Sequence, residues 1–322
     1  MFTSKDIEVR TIMVVDCTEG RSLHVRNGEL LLSTDVENKT LTKLPFQKIL
    51  ALFIIGDISI TTPLIDKCRR YNIALSVVKS NLRPVYYWAE SAEGNFLLRQ
   101  KQFSFSKEDI TVAKALVTNK ITNHLQLLIN TRKKDIQTLN AISACKNALG
   151  YIGNIREYKE LMGIEGSSAK SFFLAYYQDF KWAGRRPRVK CDILNATLDI
   201  GYSILFNYIE CFLRMFGFDV YVGVYHRLWY KRKSLVCDLM EPFRCIIDAQ
   251  VRKSFNLGQF SLDDFEHFGD EYVLKYNKNR EYHKIFFSAL IPRKKDVFLY
   301  VQSYYRAFMQ SRSSSGYPIF KF

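Results

Sequence analysis

The chain has 322 residues, 48% of them hydrophobic and 25% charged, with a formal net charge of +15. The length predicts two domains, and the composition is that of an ordinary globular protein. Such a positive charge indicates a polyanionic partner, which nucleic acid and anionic membranes both provide. A membrane-spanning segment is excluded, because the longest apolar run, residues 49–55, falls far short of the ~20 residues that cross a bilayer.

Two features of the sequence indicate a reducing, cytoplasmic environment. The first ten residues, MFTSKDIEVR, include charges and contain no apolar signal-peptide core. The seven cysteines are an odd number without a CxxC pair, which argues against a disulfide framework or a zinc ribbon. We therefore expect a cytoplasmic protein.

The first 90 residues are predicted to form a small β-rich domain. The run TIMVVD is typical of a strand, and Asn27-Gly28 lies between two apolar runs, where this dipeptide favours a type I′ hairpin turn. One helix is predicted from Thr62-Pro63 to about residue 71, because threonine caps helices and proline suits the first helical position. The strand-like run IALSVVK follows it.

Beyond residue 90 the hydrophobic period becomes helical, and residues 91–322 hold 35 Lys and Arg against 22 Asp and Glu. Residues 91–310 are therefore predicted to be a larger, all-helical domain that carries most of the surface facing a polyanion, followed by a flexible tail at 311–322. The predicted helices are a long one opened by a Ser106/Asp109 capping box and ending near residue 134, then 152–162, 166–180, 192–216 and 234–255. The predicted fold class is α+β.

The helix predicted over residues 234–255 places acidic side chains together. One of its faces holds the polar side chains of Asp238, Glu241, Cys245 and Asp248. Neighbouring carboxylates such as Asp238 and Glu241 repel each other unless a cation lies between them. Pro242 removes a helical hydrogen bond and is expected to kink the axis. The acids either hold a metal ion or form a solvated surface network with the cations at 231–233.

A second candidate carboxylate, Glu165, lies between small residues in the segment LMGIEGSSAKSFF. It is predicted at the start of the helix over 166–180, where a carboxylate also serves as a cap, because the helix dipole favours negative charge. The small residues after it leave room for a bulky ligand. With Glu241 and the lone histidine of that region, His226, it would provide oxygen, nitrogen and oxygen ligands, which suit Mg²⁺ or Mn²⁺.

Four motifs in these segments resemble one known family. They are GIEGSSAKSFF around Glu165, DILNATLDIGYSIL (residues 192–205), GVYHR (residues 223–227) and SLVCDLMEPFRCIID (residues 234–248), in this order. With the β-rich first part, they resemble the CRISPR-associated integrase and endonuclease that acquires new spacers, the Cas-one family. The resemblance covers nearly the whole chain, and four ordered motifs make it specific.

The resemblance implies a site and a function. The family's metal ligands fall on Glu165, His226 and Glu241, and Asp238 matches an acidic partner one helical turn earlier. These four are the expected catalytic residues, so residues 91–310 are the implied catalytic, DNA-binding domain and residues 1–90 the implied dimerisation domain. The implied enzyme uses Mg²⁺ or Mn²⁺ to join the 3′-hydroxyl of a captured spacer DNA to a repeat by transesterification, with endonuclease activity when water is the nucleophile. The implied partners are double-stranded DNA, a second copy of the chain, and the small Cas-two protein that bridges two dimers.

Two other interpretations stay open. A non-catalytic subunit that binds DNA ends would keep the basic surface without the metal. A general metal-dependent repair nuclease would keep the same site and act on another substrate. The sequence contains no Walker lysine loop and no dinucleotide glycine fingerprint, which argues against a reaction that consumes a nucleotide.

A basic segment is expected to contact DNA. KWAGRRPRVK has five cations in ten residues and a tryptophan, which suit phosphates and an unpaired base, although a solvated loop is the alternative. The candidate DNA-binding residues are Lys181, Trp182, Arg185, Arg186, Arg188, Lys190 and Arg244. The acidic segment 261–271 is expected to be an exposed face, because its spacing matches no metal-ligand pattern.

Overall fold

The first part of the chain is β-rich, as predicted. The computed structural model describes residues 3–17, 20–34, 39–89, 94–105, 109–180, 182–226 and 230–322. The strands of this part are β1 (Thr11–Asp16), β2 (Arg21–Arg26), β3 (Glu29–Thr34), β4 (Thr40–Pro45), β5 (Ile49–Ile55), β6 (Ala74–Val78) and β7 (Pro84–Trp88). Two helices accompany them, α1 (Ser4–Val9) and α2 (Thr62–Arg70), and α2 begins where the sequence predicts it.

These strands form two sheets. In the sheet ordered β1-β5-β6-β7, the first three strands are parallel and β7 is antiparallel, whereas β2, β3 and β4 form an antiparallel sheet. The turn between β2 and β3 has positive φ at Asn27 (50°) and Gly28 (77°), so the predicted type I′ hairpin is confirmed. The central strand β5 is buried along its whole length, as a parallel strand covered on both faces should be.

The second part of the chain is mostly helical. Its helices are α3 (Phe96–Ser104), α4 (Thr111–Asn130), α5 (Ile136–Ile152), α6 (Tyr158–Tyr176), α7 (Ile193–Met215), α8 (Ser234–Met240), α9 (Arg244–Asn256), α10 (Asn279–Leu290) and α11 (Lys294–Met309). A hairpin of β8 (Phe265–Phe268) and β9 (Glu271–Leu274) also lies here, so the expectation of an all-helical second part is wrong in this segment. Its turn contains Gly269 at a φ of 58°, which suits a hairpin.

The helices near the candidate site differ from those predicted. Helix α6 runs without a break from Tyr158 to Tyr176, so Glu165 lies in its middle and not at the start of a helix at residue 166. Glycines beside Glu165 lower the helix propensity, but packing of α6 against α4 and α5 overrides it. Helix α5 is absent from the predicted set, and Ser106 of the predicted capping box lies outside the described residues.

The C-terminal residues 317–322 are packed, which corrects the prediction of a flexible tail for them. Asn119 of α4 donates a hydrogen bond to the carbonyl of Phe320 (2.7 Å) and accepts one from its amide (2.8 Å). The Phe320 ring is buried, with its centroid 4.6 Å from that of Phe243. The aromatic side chains of the tail thus find an apolar surface, and its backbone finds partners, which a free tail would lack.

One hydrophobic core joins the first sheet to the helices. Phe53 of β5 packs in the same buried cluster as α7 and α10, and its ring centroid lies 6.1 Å from that of Tyr208. Residues 90–93, where the sequence places the domain boundary, lie outside the described residues, so that boundary stays a prediction.

Two further observations concern the helices and the cysteines of the described residues. No helix within the described ranges has both the length and the apolar character needed to cross a bilayer. All seven cysteines lie in described residues and none forms a disulfide, as predicted.

Candidate metal and nucleic-acid site

Three of the four predicted catalytic side chains line one pocket. Glu165 lies on α6, His226 in the loop before α8, and Glu241 in the 3-10 turn Glu241–Phe243 that separates α8 from α9. The pocket has a volume of about 480 Å³. Residues far apart in the sequence meet here because α4 packs against both α6 and the α8–α9 segment.

Pro242 interrupts the helix predicted over residues 234–255 and aims Glu241. The amide of Glu241 donates to the carbonyl of Asp238, and α9 begins after the turn. Asn123 of α4 donates to the carbonyl of Pro242 (2.9 Å), which fixes the turn. The helix that was predicted to continue with a kink at Pro242 is thus divided in two there, and the Glu241 side chain beside it is only 6% exposed.

The polar face of this segment is buried, so a solvated surface network is ruled out as its explanation. Asp238 and Asp248 are fully buried. Of the cations at 231–233, Lys233 pairs with Glu210 of α7 at 2.7 Å. The acids must therefore be compensated by groups inside the protein.

Asp238 holds the loop that carries His226. Its Oδ2 accepts hydrogen bonds from the amides of Val224 (2.6 Å) and Tyr225 (3.0 Å), and its Oδ1 accepts one from the amide of His226 (2.8 Å). The same Oδ1 lies 2.7 Å from His226 Nδ1. Because Nδ1 is engaged, Nε2 is the ring nitrogen left for a ligand in the pocket. Asp238 is thus a positioning residue in this arrangement.

Close packing around Asp238 explains the glycine three residues before His226. A Cβ at Gly223 would lie 2.7 Å from Asp238 Oδ2 and 2.7 Å from Ser234 Cβ. Both of these groups are buried, and the carboxylate is fixed by three backbone amides. Only glycine lets the loop pass this close to the carboxylate.

A buried lysine lies between the two glutamates. Lys120 Nζ contacts Glu165 Oε1 and lies 2.7 Å from Glu241 Oε2, and Arg244 Nε is 2.9 Å from the same Oε2. Burial alone would raise the pKa of Glu241, but Arg244 and Lys120 lower it to about 2, so the carboxylate is ionised at neutral pH. Burial alone would lower the pKa of Lys120, but Glu241 and Glu165 raise it above its ordinary value.

The donor atoms of the pocket suit a hard divalent cation. Within the described residues, no three or more His, Cys, Asp and Glu side chains already lie together as a metal site. The two carboxylates nevertheless share the positive charge of Lys120, although Glu241 also pairs with Arg244, and the charge of the lysine is the one that a divalent ion would replace. Glu241 Oε2 is buried and pairs with Lys120 and Arg244, so a metal ion would have to replace a partner to reach it. Carboxylate oxygens suit Mg²⁺, and an added imidazole suits Mn²⁺.

The basic segment forms a loop beside the pocket, here named the basic loop (residues 182–190). The D-x-x-N motif holds it: Asp192 caps α7, and Asn195 Oδ1 accepts from the amide of Arg186 (2.8 Å) and the side chain of Arg185 (2.9 Å). Arg185 and Arg186 both line the pocket, and the Arg186 side chain is exposed. The motif therefore fixes the loop to α7.

The remaining described candidates of the basic segment, Trp182, Arg188 and Lys190, are not among the residues that line this pocket. Trp182 is half-buried, and its Nε1 donates to Asp192 (3.1 Å). Arg188 is exposed, and Lys190 is 3.6 Å from an acid of β9. Lys181 lies outside the described residues. The role of these residues in DNA binding stays a prediction.

Two lysines of the pocket are absent from the sequence-based candidates, Lys120 and Lys170. The sequence held a signal for Lys120, because it follows Asn119 and precedes Asn123 and His124 on a buried face of α4 that is otherwise apolar. Buried polar groups require partners, so such an interruption marks a site or a polar contact. Lys170, on the same helix as Glu165, gave no comparable signal.

Behind the pocket, a buried acid supports two of its arginines. The hydroxyl of Tyr202 donates to Asp248, and the Tyr202 ring centroid lies 4.6 Å from the Arg244 guanidinium and 5.4 Å from that of Arg185. Burial raises the pKa of Asp248 to about 7, even though the Tyr202 hydrogen bond and Arg244 act to lower it. Its second oxygen, Oδ2, has no hydrogen-bond partner within the described chain.

Replacing Asp248 with Asn should change how stability depends on pH. The pKa of Asp248 is near 7 in the folded protein and 3.8 ordinarily, so the folded protein binds this proton more tightly than the unfolded chain. Proton binding therefore adds to the free energy of unfolding at low pH, and this contribution is lost as the pH rises through 7. Between pH 5 and pH 8, the free energy of unfolding of Asp248→Asn should therefore gain about 2 to 3 kcal/mol relative to the unmodified protein. Urea unfolding at both pH values measures this difference. The exposed Asp263→Asn is the control, and a difference that does not change with pH would contradict the assignment.

The comparisons with solved structures show the class of fold. The chain aligns with a casposase bound to integration product at a TM-score of 0.75 and 18% identity, over 97% of this chain and 96% of that one. It aligns with a CAS1 protein from Thermotoga maritima at a TM-score of 0.74 and 16% identity, over 92% and 97%. In a Cas6-RT-Cas1--Cas2 complex the TM-score is 0.76 at 20% identity, over 97% of this chain and 36% of that one.

The sequence comparisons show the family. Residues 14–287 match the family model described as CRISPR associated protein Cas1. Two similar proteins, both described as CRISPR-associated endonuclease Cas1 1, come from Thermodesulfovibrio yellowstonii (28% identity, over 86% of this chain and 87% of that protein) and Archaeoglobus fulgidus (28%, over 77% and 79%). The chain belongs to the Cas1 family, as the four motifs indicate.

Proposed function

We propose that this protein is a metal-dependent DNA integrase of CRISPR adaptation that also acts as a DNA endonuclease. It joins the 3′-hydroxyl of a captured spacer DNA to a repeat by transesterification. The observation that carries the proposal is the meeting of Glu165, His226 and Glu241 in one pocket whose other charged groups are cations. Relatives named endonucleases, and the casposase bound to integration product, support it.

The residues of the pocket divide the work of the reaction. Glu165, Glu241 and His226 Nε2 would hold the Mg²⁺ or Mn²⁺, and the ion would supply Lewis acidity for activating a hydroxyl and for stabilising charge on a phosphate. Asp238 keeps the histidine in one orientation through Nδ1 and the loop amides. Arg244 lies on the wall of the pocket, where it packs on the Tyr202 ring and pairs with Glu241, and we assign it a contact with a DNA phosphate.

The DNA backbone is proposed to follow the cations around the pocket. Arg185, Arg186 and Lys170 line the same pocket as the three proposed ligands. Arg185 is already paired with Asp199, so it contributes less to binding than its charge indicates. Arg186 and Lys170 are the better phosphate contacts, and replacing both should weaken DNA binding and flatten its salt dependence.

The proposed assembly is a homodimer on double-stranded DNA, with Cas2 bridging two dimers. Two of the similar solved structures are Cas6-RT-Cas1--Cas2 complexes, which supports a Cas2 partner. A cytoplasmic location accompanies this proposal, because spacer DNA and repeats are found there.

A joining assay tests the proposed function. The protein is incubated with a short duplex and a supercoiled plasmid that carries repeats, in Mg²⁺ or Mn²⁺, with and without Cas2. We expect joined product with free 3′-hydroxyl ends and none with dideoxy ends or in chelator, because strand transfer needs that hydroxyl at the metal.

The same assay separates the alternatives. Equal cleavage with free and blocked ends, and no joined product with or without Cas2, would replace the integrase with a general metal-dependent nuclease. DNA binding with neither joining nor cleavage would indicate a structural subunit that binds DNA ends.

A further inference from the structure

We propose that Lys120 is a built-in counter-ion that competes with the metal for Glu165 and Glu241 and is released from them by a DNA phosphate. Metal and DNA would then bind cooperatively, because each removes the lysine from the position that the other needs empty. This inference rests on the proposed metal site and adds a regulation of its loading.

The carboxylates of Glu165 and Glu241 need a cation beside them when no metal is bound. The Glu241 side chain is 6% exposed and that of Lys120 10% exposed, so water screens this pair poorly. The same ammonium also contacts Glu165. Without Lys120, two carboxylates would share a half-closed pocket with Arg244 as the remaining direct partner.

Lys120 and the proposed metal ion need the same carboxylate oxygen atoms. Lys120 Nζ contacts Glu165 Oε1 and Glu241 Oε2, which are the groups proposed to hold the divalent ion. An ammonium and a divalent cation within one pair of carboxylates repel each other strongly where water is scarce. The lysine must therefore withdraw from at least one glutamate when the ion enters.

A Lys120 ammonium released from the glutamates needs another anion to pair with. Among the described residues that line the pocket, the carboxylates are Glu165 and Glu241, and the other charged side chains carry positive charge. The anion that can receive the ammonium must therefore come from a ligand. Lys120 is the mobile cation of the pair, because lysine has a compact charge on a flexible stem, whereas Arg244 lies 4.6 Å from the Tyr202 ring centroid.

The test is a titration of the DNA-free protein with Mn²⁺, followed by the electron paramagnetic resonance signal of free Mn²⁺. Lys120→Met removes the competitor and should bind Mn²⁺ at least about tenfold more tightly than the unmodified protein. Lys120→Arg keeps the charge but holds carboxylates in a fork, and should bind Mn²⁺ more weakly. Lys146→Met removes an exposed charge of α5, from outside the residues that line the pocket, and should change the affinity by less than about twofold.

A second arm adds a short duplex to the titration. DNA should tighten Mn²⁺ binding in the unmodified protein by a larger factor than in Lys120→Met, where no lysine remains to be released. If Lys120→Met is too unstable to titrate, Lys120→Arg and the DNA arm of the unmodified protein decide. The proposal is overturned if Lys120→Met binds Mn²⁺ no more tightly than the unmodified protein, if Lys120→Arg binds as well as it, or if DNA leaves the affinity unchanged.

Glu241→Gln separates this inference from the function on which it rests. Loss of Mn²⁺ binding in Glu241→Gln, together with tighter binding in Lys120→Met, supports both. Loss in Glu241→Gln without any effect of Lys120→Met overturns the role of the lysine and leaves the metal site standing. Unchanged Mn²⁺ binding in Glu241→Gln overturns the metal site and the role of the lysine with it.

Discussion

Glu241→Gln and Glu165→Gln should each reduce DNA joining by more than about 100-fold while leaving DNA affinity intact. Each substitution removes an anionic ligand and preserves side-chain volume. Removing the Glu241 charge also releases Lys120 and Arg244, which contact it at 2.7 and 2.9 Å. DNA affinity, measured by fluorescence anisotropy, should therefore stay equal or rise slightly, because the pocket becomes more positive.

His226→Asn belongs to the same experiment. An asparagine keeps a side-chain donor for Asp238 but lacks the ring nitrogen proposed as a ligand, so joining should fall to a similar extent. Asp263→Asn replaces an exposed acid in the acidic segment 261–271, is the matched control and should leave joining unchanged. Full joining activity in Glu165→Gln, Glu241→Gln or His226→Asn would remove the substituted residue from the site.

Gly223→Ala should damage the site from a distance. The new Cβ would lie 2.7 Å from Asp238 Oδ2 and 2.9 Å from the backbone carbon of Ser234, and the backbone atom cannot move aside cheaply. The loop must shift away, which breaks the contact between Asp238 and His226. We expect joining to fall about 10- to 100-fold and the free energy of unfolding to fall by about 1–3 kcal/mol.

The control for this variant is Gly163→Ala on α6. A Cβ at Gly163 meets no heavy atom within 4 Å, and alanine favours a helix by about 0.5–1 kcal/mol over glycine. Gly163→Ala should therefore keep its activity and be as stable as the unmodified protein or more so. Equal stability and joining in Gly223→Ala and the unmodified protein would show that the loop does not depend on the glycine.

Local patterns predicted the parts of the fold that depend on local chemistry. The Asn27-Gly28 turn has the positive φ angles that this dipeptide favours, and Pro242 interrupts its helix as its missing amide requires. The continuous helix through Glu165 was beyond local patterns. Its glycines weaken the helix, and the packing that compensates comes from α4 and α5, whose positions no local signal gives.

The charge balance of the site was also hidden from the sequence. The motifs identified Glu165, His226 and Glu241, but Lys120 lies more than forty residues before the first of them and meets them only through helix packing. The amphipathic pattern of residues 234–255 left open whether the polar face is solvated or holds a metal, and in the structure that face is buried. Periodicity separates two faces of a helix, but it does not say whether the polar face meets water or buried partners.

Anomalous diffraction from crystals grown with Mn²⁺ and a short DNA duplex would show whether a metal ion binds between Glu165, His226 and Glu241. We expect one strong manganese peak within about 2.2 Å of carboxylate oxygens of Glu165 and Glu241 and of Nε2 of His226. Lys120 should then have left at least one of the two glutamates. A pocket with no peak, in which Lys120 still bridges Glu165 and Glu241 while DNA is bound, would contradict this expectation.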